Sequence, residues 1–310
     1  MDSTEGIRRT LGRVGIAASV ATFALIVFGG IVRITGSGMG CGDDWPLCNG
    51  QLIPPMDLPT AIEYGHRLAA LLVSAFVGAV ALFAFLVRRH DSSAAVVTGT
   101  GSRLWRLAVS AVALLIVQIM LGAVTVWLEL PPASVILHLG TAMLLLAVLI
   151  VIASEAYGPG RQRVNDRASR VAWWTSLATL AVILLGALTA NLDAGLACQG
   201  FPLCNGQLLP GSEGNPLIHS HWAHRVAAYA LVAWCLILPA TIRKRRPGDP
   251  GLGGPARATA AVAVLQLAVG AAMVLMSLPG ELRAAHVGLG AAVFVAAVRL
   301  AWVARYPASD

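Results

Sequence analysis

The sequence predicts an all-α integral membrane protein of eight transmembrane helices, arranged as two parallel four-helix-bundle repeats. Three observations carry this: eight apolar stretches long enough to cross a bilayer, basic residues gathered in alternate loops, and a seven-residue segment that occurs twice. The 310 residues are 57% hydrophobic and 12% charged, with mean hydropathy +0.75, whereas soluble domains carry about 25% charged residues. This excludes a soluble enzyme, a disordered chain and a fibrous one. A net charge of +7 would suit a nucleic-acid partner in a soluble protein. In so apolar a chain it reads first as a signal of orientation in the lipid bilayer, and no nucleic acid is expected.

A span needs about 20 predominantly apolar residues, and such stretches lie near 14–34, 64–87, 104–127, 134–154, 171–190, 218–242, 257–277 and 281–303. The first is a span rather than a signal peptide, because no small-residue cleavage site follows it and Arg33 with a Gly-rich loop does. Basic residues then set the topology. Arg8, Arg9 and Arg13 precede span 1; Arg88, Arg89, Arg103 and Arg106 flank the 2–3 loop; Arg161, Arg163, Arg167 and Arg170 fall in the 4–5 loop. Arg243, Lys244, Arg245, Arg246 and Arg257 flank the 6–7 loop, and Arg299 and Arg305 close the chain. Eighteen of the 22 Lys and Arg residues thus lie on one side. Both termini are expected in the cytoplasm and the protein in the cell membrane. The loops 35–63 and 191–217 face outward, and the second contains no Lys or Arg.

Those outer loops repeat one another. Pro46-Leu47-Cys48-Asn49-Gly50-Gln51-Leu52 recurs as Pro202-Leu203-Cys204-Asn205-Gly206-Gln207-Leu208, at an offset of 156. His66-Arg67 recurs as His224-Arg225 at 158, and Gln118, Gly122 and His138 recur as Gln266, Gly270 and His286 at 148. The chain is therefore read as an N-terminal half, 1–155, and a C-terminal half, 156–310, joined through an Arg-rich segment near 155–170. Four spans per half is an even number, so the halves keep one orientation and form parallel repeats.

Four of the seven His residues, His66, His138, His224 and His286, occupy duplicated positions in the first turns of even-numbered spans. Ionisable groups within spans are costly and ordinarily face a bundle interior. A neutral imidazole bonded to a neighbouring helix would explain one of them. Two per half at matching depth instead suggest axial ligand pairs for haem iron. A zinc or copper site ordinarily draws three or four protein ligands, and each half offers two. His90 reads as solvated, His219 as interfacial, and His221 as a neighbour on the face of His224.

The halves differ at one place. Glu63 precedes His66 by three residues, whereas His221 holds the matching place before His224. A carboxylate beside a haem pocket is a candidate acid–base or charge-stabilising group; the plain reading is an acid favoured at a helix N-terminus. Arg67 and Arg225 suit haem propionates or the lipid interface. Cys41/Cys48 and Cys198/Cys204 are close enough in sequence for one disulfide in each outer loop, and an outward location permits them. The second pair reads as a structural staple; the first, above the half with Glu63, is a candidate for thiol exchange. Cys235, within span 6, reads as a small apolar residue.

Taken together these residues resemble the bacterial haem A synthases, in particular those of Gram-positive type with cysteine pairs in the outer loops. The resemblance covers essentially the whole chain. It rests on Gly29-Gly30-Ile31-Val32-Arg33 leading to Thr35-Gly36-Ser37-Gly38, on the Cys41/Cys48 loop with Asp44-Trp45-Pro46, on Glu63-x-x-His66-Arg67 and on the three further His. It implies oxidation of a ring methyl of haem O to a formyl group by successive hydroxylations, giving haem A for terminal oxidases. It also implies that His66 and His138 hold the substrate haem, with Arg67 beside them. His224 and His286, with Arg225, would hold a resident haem b (iron). Glu63 would act at the reacting methyl, and Cys41/Cys48 would be the more important pair. The implied partners are the haem O synthase that supplies the substrate, an electron acceptor that the sequence does not identify, and further copies of the chain. The competing readings are a dihaem, quinone-linked electron-transfer protein, a thiol-oxidising membrane protein and a transporter. The first gives Glu63 no role, the second leaves four buried His unexplained, and the third lacks a broken-helix site.

Overall fold

In the computed structural model, the described residues are 3–92, 99–158, 163–211 and 215–307; Arg161 of the expected 4–5 loop lies outside them. Eight long α-helices follow in order: α1 (Ser3–Ile34), α2 (Leu58–Ser92), α3 (Thr100–Trp127), α4 (Pro132–Tyr157), α5 (Arg167–Asn191), α6 (Pro216–Arg245), α7 (Pro250–Leu275) and α8 (Gly280–Arg305). All eight are long and apolar enough to cross a membrane. Among the described residues no strand occurs, only the isolated bridges Cys48–Gln51 and Cys204–Gln207.

Most helices outrun the apolar stretches that predict them, because the helix continues through polar turns beyond the hydrocarbon core. Their ends are set by local chemistry. Asp166 caps α5 by accepting from the Ser169 N–H at 2.8 Å, Asn215 caps α6 through the Leu217 N–H, and Asp249 caps α7 through the Gly251 N–H. Proline opens α6 and α7, where its missing N–H costs nothing. Two matched turns, after α3 and after α7, use consecutive left-handed residues, Glu129-Leu130 and Ser277-Leu278.

The chain divides into two compact units, one of 1–129, 141–163 and 306–310, the other of 130–140 and 164–305. In the first, α2 packs against α1 and α3. Gly15 seats Ala153 of α4 against α1, where a Cβ would stand only 3.2 Å from Ala153 Cα. Arg103 of α3 meets buried Glu155 of α4 at 3.0 Å. A core of small and branched residues, including Val73, Val77, Ala108, Leu149 and Ile152, fills this unit. In the second, α5, α6, α7 and α8 each contact two of the others and close a ring of four helices. Gly140 of α4 lies against Leu184 of α5 there. Arg246 joins three segments of the second unit, bonding Asp166, Asp249 and the Ala304 carbonyl.

Candidate functional site

Each unit carries one disulfide loop above the helix turns that bear the candidate residues. In the first loop Cys41 and Cys48 are bonded, and both are almost fully buried. Asn49, left-handed at φ 51°, donates its backbone N–H to the Cys41 carbonyl and its side-chain amide to the Gly40 carbonyl. Thr60 of α2 also reaches the Gly40 carbonyl, at 2.8 Å. The second loop repeats the construction. Cys198 and Cys204 are bonded, and Asn205, at φ 53°, donates to the carbonyls of Gln199 and Ala197. The peptide bonds Trp45–Pro46 and Phe201–Pro202 are both cis. The duplicated sequence therefore makes one loop fold twice.

Each loop is fastened to the helix beneath it by one arginine. Arg67 gives Nε and Nη2 to Glu63 Oε1, at 3.2 and 2.6 Å, and Nη1 to the Leu47 carbonyl at 2.6 Å. The other Glu63 oxygen, Oε2, accepts the Cys41 N–H at 2.8 Å. Glu63 is only 4% exposed, so its carboxylate is removed from water yet occupied at both oxygens. In the second unit Arg225 gives Nε to His221 Nε2 at 3.1 Å, and its remaining nitrogens to the carbonyls of Gly200, Leu203 and Cys198. The Cys198 N–H approaches His221 Nδ1 at 3.3 Å. The place that holds Glu63 in one unit thus holds His221, equally buried, in the other. Sequence left propionates and the lipid interface as destinations for the two arginines; the structure engages every guanidinium nitrogen with the protein itself. Those partners were not legible beforehand, because main-chain carbonyls about 20 residues away carry no sequence signal.

The four His sit one turn or more along their helices. His66 lies on α2 and stacks edge-on against Phe28 of α1, with ring centroids 5.6 Å apart. His138 lies on α4, in the segment grouped with the second unit. His224 on α6 and His286 on α8 belong to the ring of four helices. A glycine seats three of these imidazoles. A Cβ on Gly29 would stand 3.2 Å from His66 Cε1, one on Gly186 2.7 Å from His224 Cε1, and one on Gly270 2.9 Å from His286 Cε1. At the last two distances a side chain would force the imidazole to shift. Gly270 was visible through its repeat partner Gly122, whereas Gly29 and Gly186 carry their own offset of 157. Gln266 brings its amide nitrogen to 3.2 Å from His286 Nε2.

His224 and His286 lie in the same ring of helices, each with a buried Nδ1 and a main-chain carbonyl of the facing helix, Val182 or Gln266, within reach of its ring. A ligating imidazole is held in this way through its other nitrogen. Among the described residues no three His, Cys or carboxylate groups converge to hold an ion alone, whereas His224 and His286 would offer two imidazoles. That suits a metal whose other ligands come with a macrocycle. Of the remaining His, His219 bonds its own helix turn at Asn215, and His90 is exposed at the end of α2. Cys235 is free and wholly buried.

Eight helices long and apolar enough to span a membrane, with two disulfide-closed loops between them, define a polytopic helical membrane protein. The chain matches the family described as cytochrome oxidase assembly protein, COX15-CtaA, over residues 12–298, and it belongs to that family. The Heme A synthase of Alkalihalophilus pseudofirmus is 34% identical over 229 residues, covering 72% of this chain and 73% of that one. The Heme A synthase of Symbiobacterium thermophilum is 32% identical over 292 residues, 91% of each. That of Halalkalibacterium halodurans is 31% identical over 77% of this chain and 78% of its own.

Proposed function

We propose that this chain is a haem A synthase, an oxidoreductase of the cell membrane that converts the ring methyl of haem O to a formyl group and so supplies haem A to terminal oxidases. The single observation that carries the reading is the pair of matched sockets. One holds Glu63 three residues before His66; the other holds His221 three residues before His224. A protein that only relays electrons has no need of the difference; one that oxidises substrate on one side only does. Three relatives named Heme A synthase, one of them aligned over nine-tenths of this chain, support it.

In this reading 1–155 is the catalytic half and 156–310 the half with the resident cofactor, as parallel repeats with both termini cytoplasmic. His66 and His138 hold the substrate haem O, a farnesylated and therefore membrane-resident molecule. His224 and His286 would hold a haem b, whose chemistry when bound is one-electron transfer; the change R–CH3 + H2O → R–CHO + 4 e− + 4 H+ takes its oxygen from water and sends its electrons singly to an external acceptor. Glu63, acceptor-only as a carboxylate, stabilises positive charge developing at the ring methyl and takes its protons. Arg67 and Arg225 act at the haem edges by keeping the loops closed, which excludes water. The Cys41–Cys48 bond fixes the loop whose N–H holds Glu63. The haem O synthase is the supplier, and the chain assembles with copies of itself.

The test is to express the chain with a source of haem O, extract the haems and separate them by chromatography. The formyl haem is expected. A preparation that binds haem b yet leaves haem O unconverted overturns the proposal in favour of a dihaem electron carrier.

A further inference from the structure

At the helix ends remote from the disulfide loops, α5 and α6 form a cleft of 470 Å³ lined by Arg167, Thr241, Lys244 and Arg245. Three of its four lining residues are cationic and none is acidic. The carboxylates nearby are already engaged. Asp166 accepts from Ser169 and from Arg246, whose Nη2 lies 2.9 Å away. Asp249 accepts from Gly251 and Arg246. Among the described residues Arg167, Lys244 and Arg245 form no ion pair. Lys244 and Arg245 close α6, where the helix dipole favours cations. Arg167 opens α5, where the dipole opposes one, and no acid stands in that first turn. Like charges so gathered repel each other by a few tenths of a kcal/mol per pair, and an anion between them removes that repulsion.

The apolar surface below the cleft completes the pattern. Trp174 lies seven residues, about 10 Å, along α5 from Arg167 on the same face, and is 65% exposed. Ile237 lies seven residues before Lys244 on α6 and is 55% exposed. A cationic cradle at the helix ends over exposed tryptophan and isoleucine matches an amphiphile with an anionic head and an acyl chain. The other basic cleft, lined by Arg103, Arg106, Arg163 and Tyr306, is different: its Arg103 is neutralised by Glu155 and lies over the Tyr306 ring at 4.1 Å.

We infer that the α5–α6 cleft is a binding site for the phosphodiester head of an anionic phospholipid, distinct from the haem-binding machinery. The full chain is purified in detergent, equilibrated with equimolar phosphatidylglycerol and phosphatidylcholine, and examined by native mass spectrometry. The wild type is expected to retain phosphatidylglycerol selectively. Arg167→Gln, Lys244→Gln and Arg245→Gln should each weaken retention about 5-fold and the triple variant about 100-fold, from ~1 kcal/mol per charge. Arg88→Gln/Arg89→Gln, which removes two charges at the end of α2, should retain lipid as the wild type does. Inorganic phosphate should not displace the lipid. Equal retention by the triple variant, equal retention of phosphatidylcholine, or displacement by inorganic phosphate would each overturn the assignment; the last would show a site for free phosphate.

Discussion

Glu63 and His221 sit in one socket built twice, and the socket suits them unequally. Each faces a cysteine N–H and an arginine Nε. A carboxylate accepts from both donors, whereas a neutral imidazole has a single acceptor nitrogen. His221 therefore satisfies one donor fully, and the longer contact, 3.3 Å from Cys198, is the one that yields. His221→Glu is expected to fold and to raise the thermal midpoint of the purified protein, since a charged hydrogen bond contributes about 1.5–3 kcal/mol. A lowered midpoint would show that the second socket is not shaped for an acid. Under the proposed assignment of haems, His224→Ala and His286→Ala should each abolish the spectrum of resident haem b; an unchanged spectrum would reverse the halves. The candidate ligands were legible at this scale because an imidazole in an apolar span is conspicuous. The role of the glycines opposite them was not, even for Gly29 and Gly270, which the sequence patterns include, because a glycine in a membrane helix is ordinary until its neighbour is known.

At the scale of elements, the helices are fixed by apolar length and by their caps, and the loops by cross-links. Gly186→Ala would place a Cβ 2.7 Å from His224 Cε1. A clash of that kind costs about 1–3 kcal/mol, and it should shift or broaden the haem b spectrum while the eight helices persist by circular dichroism. The disulfide loops close rings of 7 and 6 residues in sequence separation, and such short loops contribute about 2 kcal/mol by chain entropy. Cys198→Ser should therefore lower thermal stability by about that amount and leave haem O conversion running, which an activity assay on the same preparation checks. The Asp166 cap gives a pH dependence. Burial pushes its carboxyl up, but the Ser169 N–H and the Arg246 guanidinium outweigh this and hold it below the ordinary range. Its contribution is thus present above the unfolded pKa, about 3.9, and is lost as pH falls through the lower folded value. Asp166→Asn should remove that acid-side slope from a stability–pH curve while keeping the cap. Helix positions were readable from apolar length, whereas their ends were not, since hydropathy does not register polar turns that remain helical. The repeat foretold that the two loops would match, while the arginine-to-carbonyl bonds that dock them depend on the folded backbone.

For the molecule as a whole, charge distribution and duplication do most of the specifying. Basic residues cluster in alternate loops, so under the proposed topology the net charge of +7 is a signal of orientation rather than of affinity for a polyanion. Protease added outside intact spheroplasts should cut within the two disulfide loops once reduced and spare tags at both termini; cleavage of the tags would invert the proposed topology. The repeat supplies two matched sockets, and under the proposed function the one substitution between them, acid for imidazole, separates their tasks. The measurement that tests this division most directly is haem analysis of Glu63→Ala expressed with a haem O source. The full haem b spectrum with haem O unconverted is expected, and wild-type yield of formyl haem from that variant would contradict the division.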